Sequence, residues 1–198
     1  MSGEHYFSAK PQVASTPRLV RLELPDVTFT LATDAGVFSG DAIDAGTKLL
    51  LLNVPPPPSS GDLLDLGCGY GPIALTMASR APDATVWAVD VNQRALELCA
   101  ANAAAAGLTN VRAVTPDAVP RSRSFAAMWS NPPLRIGKAA LHELLSRWLG
   151  RLSEGGRAHL VVQHHLGADS LARWLQGEGW AVHRLRSRQS YRVLEVGR

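Results

Sequence analysis

From residue 61 onward this chain alternates short apolar runs with longer helical ones, and few folds accommodate that rhythm. Strand patterns at 61–66 and 84–90 lead into helical ones at 71–80 and 92–106. Further strand patterns at 110–115 and 125–130 precede a helix at 138–152, a strand at 157–163 and a helix at 168–177. A terminal pair near 180–187 and 190–196, turning around Gln189, reads as a hairpin. Helices interposed between strands predict a parallel sheet covered on both faces, an α/β fold. Gly107 is placed to end the alanine-rich helix, and Gly155-Gly156 to turn the chain after the helix at 138–152.

The chain before residue 59 follows another pattern. Leu19 to Leu24 and Val27 to Leu31 alternate apolar and polar residues around Pro25-Asp26, which reads as a β-hairpin. A loop at Gly36 to Gly40 and a helix from Asp44 to Val54 follow, then Pro55-Pro56-Pro57-Pro58. Four prolines cannot continue a helix and form a stiff, extended connector. The expected division is therefore an extension at 1–58, too small for its own core and packed on a core at 59–198.

Composition narrows the classes. With 198 residues and 46% hydrophobic content the chain suits one α/β domain with a buried core. No apolar run approaches the ~20 residues that span a bilayer, so no membrane partner is expected. The start, Met1-Ser2-Gly3-Glu4-His5, lacks the basic-then-apolar pattern of a secretory leader, and a cytoplasmic location is expected. Cys68 and Cys99 are the only cysteines, and His164-His165 are adjacent on a predicted strand, facing opposite sides. Neither a disulfide framework nor a metal site is expected.

Two motifs carry chemistry. Leu63-Leu64-Asp65-Leu66-Gly67-Cys68-Gly69-Tyr70-Gly71 is an apolar strand running into alternating glycines, with Pro72 suited to the first turn of a helix. Gly67, Gly69 and Gly71 let the backbone approach a ligand closely, although glycines alone are also consistent with a tight strand–helix turn. The dinucleotide fingerprint has its third glycine one position later, where this chain has Pro72. The next strand ends in Asp90, roughly the 20 residues beyond the first motif at which such folds place a ribose-binding carboxylate. Together they predict a site for an adenosine-containing cofactor.

The second motif is Ser130-Asn131-Pro132-Pro133-Leu134, at the end of the apolar run Phe125 to Trp129. Proline fixes φ and donates no backbone hydrogen bond, so the strand must end in a rigid turn. That turn presents the Asn131 amide and the Pro132 carbonyl in one orientation, as gripping a poorly nucleophilic amino group requires. A strand-terminating turn capped by Asn is the plain alternative. The rule that ligands bind outside the carboxyl ends of strands places Gly67, Gly69, Asp90, Asp117 and Asn131 around one crevice.

Taken together, these residues resemble the class I S-adenosylmethionine-dependent methyltransferases, specifically those that methylate exocyclic amino groups through Asn-Pro-Pro. His5-Tyr6-Phe7-Ser8, Gly36-Val37-Phe38-Ser39, Asp44-Ala45-Gly46-Thr47, Asn131-Pro132-Pro133 and Val161 to Gly167 are similar to the catalytic domain of C-type small-subunit ribosomal RNA guanine-N2-methyltransferases. The resemblance implies a Rossmann-like class I methyltransferase fold, with a mostly parallel seven-stranded sheet, an antiparallel C-terminal edge and the N-terminal β-hairpin as an extension. It implies S-adenosyl-L-methionine as cofactor, held by Asp65, Gly67, Gly69, Gly71, Asp90, Val91 and Asn131, with Asp117 and Ala118 at the adenine. Asn131, Pro132 and Pro133 become the catalytic turn. Relatives often carry an aromatic residue after the second proline to stack on the base, where this chain has Leu134, so Phe38 and Leu134 are the candidates for that contact. C-type enzymes also carry a second, degenerate half ahead of the catalytic one, and the resemblance leaves no counterpart of it to be expected within these 198 residues.

Twenty basic and seventeen acidic residues give a formal charge of +3, too modest to prove nucleic-acid binding. Arg184, Arg186, Arg188 and Arg192 crowd the last strands, and Arg135 and Lys138 follow the Asn-Pro-Pro turn. Arg135, Lys138, Arg186 and Arg188 are therefore candidate phosphate contacts, against the alternative of a solvated edge. The expected partner is RNA, 16S rRNA or the small ribosomal subunit, bound by a monomer or homodimer. Adenine N6 in RNA or DNA, a protein glutamine amide, and a non-enzymatic cofactor-binding RNA module are the competing readings.

Overall fold

The computed structural model describes residues 13–198; the motif at His5 to Ser8 and the first five residues lie outside them. Two antiparallel strands, β1 (Arg18–Glu23) and β2 (Thr28–Thr33), precede helix α1 (Ala45–Asn53). The core then runs β3 (Ser60–Leu66), α2 (Pro72–Arg80), β4 (Asp83–Val89), α3 (Gln93–Ala105), β5 (Val111–Val114) and β6 (Phe125–Ser130). It closes with α4 (Lys138–Leu149), β7 (Leu152–Gln163), α5 (Ala168–Gly177), β8 (Ala181–Arg188) and β9 (Tyr191–Gly197).

The sheet order is β5-β4-β3-β6-β7-β9-β8. Strands β5 to β7 pair in parallel, and β9 lies antiparallel to both β7 and β8. The expected Rossmann-like methyltransferase fold is therefore present, with the antiparallel strand one place in from the edge. Strand order reverses between β3 and β6, and the crevice expected of such a reversal opens at their carboxyl ends.

Local sequence explains most boundaries. Asp44 caps α1 by accepting from the Thr47 amide at 2.8 Å, and Val54 turns extended before the prolines. Asn92 caps α3, accepting from the Ala95 amide at 3.2 Å.

Two expectations are corrected. Helix α4 stops at Leu149, and β7 begins at Leu152 rather than 157. Gly155-Gly156 does not turn the chain; it lies in an irregularity of β7, where the register against β6 shifts from Phe125↔Leu152 to Ala127↔Arg157. A Cβ at Gly156 would stand 2.9 Å from the Phe125 and Ser153 carbonyl oxygens, so only glycine fits the kink. His164 and His165 lie in a 3₁₀ turn beyond the end of β7, closed by Gly167 in the left-handed region, and not on the strand.

The extension shares the core. Val20, Leu22, Leu31, Leu49 and Leu50 pack in the same buried cluster as Leu63, Ile73, Trp129 and Val193. Asn102 of α3 accepts from the Ala32 amide of β2 at 2.7 Å and donates to the Ala32 carbonyl at 2.8 Å, as a neighbouring strand would. It also donates to the Tyr70 carbonyl at 2.8 Å, joining β2, α3 and the glycine turn. The sheet's other face, covered by α4 and α5, buries Trp148, Phe125, Leu160 and Leu175.

Candidate active site

The glycine turn is folded by its own backbone. The Gly67 and Cys68 amides both donate to the Val89 carbonyl, at 2.8 and 3.1 Å, and Gly71 donates back to Cys68 at 3.0 Å. Gly71, at φ +101°, caps α2 directly before Pro72. A side chain there would meet Cys99 Sγ and Leu75 Cδ1 at 2.8 Å, so this glycine lets the start of α2 lie close against Cys99 of α3.

Asp90 follows β4 and faces that turn. Its Oδ2 accepts from the Gly69 amide and its Oδ1 from the Asn92 amide, both at 2.9 Å. Burial raises its carboxyl above the usual range, and these backbone donors oppose the shift. Asp65 is wholly buried, and neither of its oxygens has a hydrogen-bond partner. Burial pushes its carboxyl well up, and the Asp90 charge adds to the effect. The Ala74 amide in the first turn of α2 pulls the other way without reaching hydrogen-bonding geometry.

Across the reversal point, β6 is tied to β3 by Ser130 Oγ, which donates to the Leu66 carbonyl at 2.6 Å. The chain then enters Asn131-Pro132-Pro133. The Asn131 carbonyl oxygen stands 3.9 Å from where a Gly67 Cβ would be, which sets the two motifs side by side. Asn131 Nδ2 donates to Asp44 Oδ2 at 2.9 Å and to Thr47 Oγ1 at 3.0 Å. The Pro132 carbonyl accepts from the Leu134 amide at 2.8 Å, which fixes its direction and leaves a second lone pair.

These groups surround a crevice of about 450 Å³. Gly67, Gly69, Asp90, Val91, Asn131, Pro132 and Pro133 line it, as do Phe38, Leu134 and Arg135. Several other candidates stand off its wall. Asp65 lies beneath it and Gly71 behind it, against Cys99. Asp117 and Ala118 occupy a 3₁₀ turn whose Pro116 reaches the crevice, while the Asp117 carboxylate is 95% exposed and 3.5 Å from Arg147. Lys138 is exposed at the start of α4, and Arg186 and Arg188 are exposed on β8, Arg188 opposite Tyr191.

Other residues arrive that the motifs did not assign to the site. Asp44, Ser39, Gln163, Leu166 and Tyr191 all line the crevice. Gln163 ends β7, a position that the carboxyl-end rule points to. Its Nε2 donates to the Tyr191 hydroxyl at 2.9 Å. Tyr191 is brought in because β9 pairs beside β7, opposite Gln163, a placement that the hairpin pattern alone does not announce. Among the described residues no group of acidic, histidine or cysteine side chains is arranged to hold a metal, and no helix is long and apolar enough to cross a membrane.

The donor set suits an adenosine-bearing, cationic cofactor. Gly67 and Gly69 offer side-chain-free backbone, and Asp90 keeps one acceptor direction per oxygen after its backbone bonds. The family profile of the methyltransferase small domain matches residues 28–195. The uncharacterized protein YbxB of Bacillus subtilis is 36% identical over 196 residues, 98% of each chain. Ribosomal RNA small subunit methyltransferase C of Shewanella pealeana is 33% identical over 150 residues, 74% of this chain and 43% of that one. Among solved structures, the Thermus thermophilus 16S rRNA N2 G1207 methyltransferase in complex with AdoMet and guanosine superposes with a TM-score of 0.79 at 25% identity, covering 94% of this chain and 52% of that one. This chain thus spans nearly all of the B. subtilis protein and about half of these rRNA methyltransferases.

Proposed function

The chain belongs to the methyltransferase small-domain family, with S-adenosylmethionine as cofactor, and from that premise we propose that it methylates the exocyclic N2 of a guanine in small-subunit ribosomal RNA. The observation that carries the proposal is the setting of Asn131. Its amide nitrogen is spent on Asp44 and Thr47, which leaves its oxygen as an acceptor beside the Pro132 carbonyl, across from Gly67 and Asp90.

The residues divide the work. Gly67 to Gly71 and Asp90 hold the methionine and ribose parts of the cofactor, Asp90 accepting from the ribose hydroxyls, with Val91 beside it. Asp117 and Ala118 serve the adenine end once the Asp117 side chain turns inward from its solvent-facing position. Bound there, the cofactor supplies an electrophilic methyl carbon on a sulfonium. The purine amine conjugates with its ring and is a weak nucleophile. Asn131 Oδ1 and the Pro132 carbonyl each accept one of its hydrogens, which draws the nitrogen toward tetrahedral geometry and aims its lone pair at the methyl. With the amine so held between Asn131 Oδ1 and the Pro132 carbonyl, methyl transfer would form the N–C bond as the cofactor's S–C bond breaks, and the alkylated nitrogen, made acidic, would give up its proton to water. Orientation of this kind is worth up to ~7–11 kcal/mol of barrier.

Phe38 and Leu134 flank the base, and Arg135, Lys138, Arg186 and Arg188 meet phosphates around it. A base inside a helix is flipped out before it enters. Residues 1–58 act as an extension of the 59–198 core, contributing Phe38 and Asp44 to the site.

The test is labelled-methyl transfer to total RNA from a strain lacking the gene, followed by nucleoside analysis. N2-methylguanosine in small-subunit rRNA is expected. N6-methyladenosine instead, or label only in protein glutamine, overturns the assignment of the acceptor. Cofactor binding without transfer to any RNA overturns the enzymatic reading.

A further inference from the structure

An asparagine amide has two unlike ends, and a half-turn about its last bond swaps an acceptor for a donor pair. A donor pair facing the incoming amine would repel its hydrogens, so the amine-gripping role of Asn131 requires that the half-turn be forbidden. The forbidding groups lie far away in sequence, on the first turn of α1. Asp44 Oδ2 receives Asn131 Nδ2 at 2.9 Å, and Thr47 Oγ1 receives it at 3.0 Å. A carboxylate has no hydrogen to give, so the amide nitrogen must face Asp44 and the oxygen must face away.

The same Asp44 oxygen accepts from the Thr47 backbone amide at 2.8 Å, so one atom both starts the helix and orients the Asn131 side chain. The turn that carries it is closely packed. Thr47 is buried, and between the pair Gly46 packs against the Tyr191 ring so tightly that a Cβ would stand 2.6–2.7 Å from it. An ionised acceptor makes the stronger hydrogen bond, and hydrogen bonds in series polarise one another. Electron density drawn through the amide from Asp44 accumulates on Oδ1, the atom that meets the amine.

We propose that Asp44 and Thr47 are positioning residues that lock the Asn131 amide with its oxygen toward the crevice, and that the charge of Asp44 strengthens that oxygen as an acceptor. The inference rests on the reading in which Asn131 grips the acceptor amine.

Three variants separate this from a merely structural cap. Asp44→Asn keeps a good helix cap but removes the charge and adds a competing donor. Thr47→Val removes the hydroxyl at nearly constant shape, and Thr47→Ser restores it. The first readout needs no substrate: the side-chain NH₂ resonances of Asn131 in the labelled full-length protein. Slow hydrogen exchange is expected in the unaltered protein and Thr47→Ser, and fast exchange in Asp44→Asn and Thr47→Val. Unchanged protection in Asp44→Asn refutes the lock. The second readout is single-turnover methylation of an unmodified small-subunit rRNA transcript, per folded molecule. Asp44→Asn is expected to lose about tenfold or more and Thr47→Val several-fold, with Thr47→Ser near normal. S-adenosylmethionine affinity should stay within about twofold, since the lock acts on the acceptor. Lower melting temperature with unchanged turnover identifies a structural cap and overturns the proposal. If the unaltered protein methylates no guanine, the assigned reaction falls, while the exchange measurement still decides whether the lock exists.

Discussion

Replacing Asp90 by alanine is the most direct probe of the cofactor half of the crevice. Each carboxylate oxygen already holds one backbone amide, Gly69 on Oδ2 and Asn92 on Oδ1. A carboxylate oxygen accepts along about two directions, so each has one left for a ribose hydroxyl. Two hydrogen bonds to a charged acceptor at roughly 1.5–3 kcal/mol each would suggest about 3–6 kcal/mol. Part of that returns, because the burial that raises the Asp90 carboxyl also makes its charge costly to hold there. The net expectation is about one such bond, or a roughly 10- to 150-fold weaker Kd. Calorimetry should use both S-adenosylmethionine and S-adenosylhomocysteine, which share the ribose but differ in the sulfonium charge. Equal losses for both are expected. A loss confined to S-adenosylmethionine would move Asp90 from the hydroxyls to the sulfonium, and an affinity within twofold of normal in a folded Asp90→Ala protein would remove it from the site.

Three further outcomes are expected. Alanine at both Arg186 and Arg188 should weaken binding to all RNAs alike and lower the slope of log K against log salt by about 1.4 if each meets one single-stranded phosphate; an unchanged slope would make β8 ordinary solvated surface. Gly71→Ala adds a Cβ at φ +101° and 2.8 Å from Cys99 Sγ and Leu75 Cδ1, so strain of ~1–2 kcal/mol and overpacking of ~1–3 kcal/mol should together cost about 2–5 kcal/mol in urea unfolding. A loss under ~1 kcal/mol would show that α2 and α3 separate freely. The raised carboxyl of Asp65 means that the folded chain keeps a proton which the unfolded chain releases near pH ~4, so stability of the cofactor-free protein should fall as pH rises from there toward the folded value. Asp65→Asn should shrink that slope, with Asp90 supplying the remainder in the same sense; an unchanged slope would mean that Asp65 ionises normally.

What could be read from sequence was what local pattern encodes. The alternation of strand and helix, the glycine turn ahead of Pro72, the acid after β4 and the prolines after β6 are each written within about a dozen contiguous residues, and the strand-end rule then gathers them at one crevice. Contacts formed by tertiary packing were not legible. Asn131 meets Asp44 across 87 positions, and Tyr191 enters only because a hairpin returns beside β7. Asp44 was visible as a resembling motif but its role was not, since its capping geometry gives no sign that a second donor arrives on the same oxygen. The two misread boundaries have a common cause: Gly155-Gly156 and the histidines after Gln163 sit where β7 is irregular or ends, and composition does not distinguish a kinked strand from a turn.

The hold of Asn102 on Ala32 bears on how this protein behaves when crowded. A two-stranded ribbon such as β1–β2 offers its outer backbone groups to any passing strand, and that invitation is how edge-to-edge aggregation begins. Asn102 supplies both an acceptor and a donor to Ala32, occupying that residue's hydrogen-bonding groups with a single side chain. Asn102→Leu would reopen this stretch of β2. Because the same side chain holds the Tyr70 carbonyl, turnover should fall as well, and the concentration-dependent loss of soluble protein is the symptom specific to the opened strand.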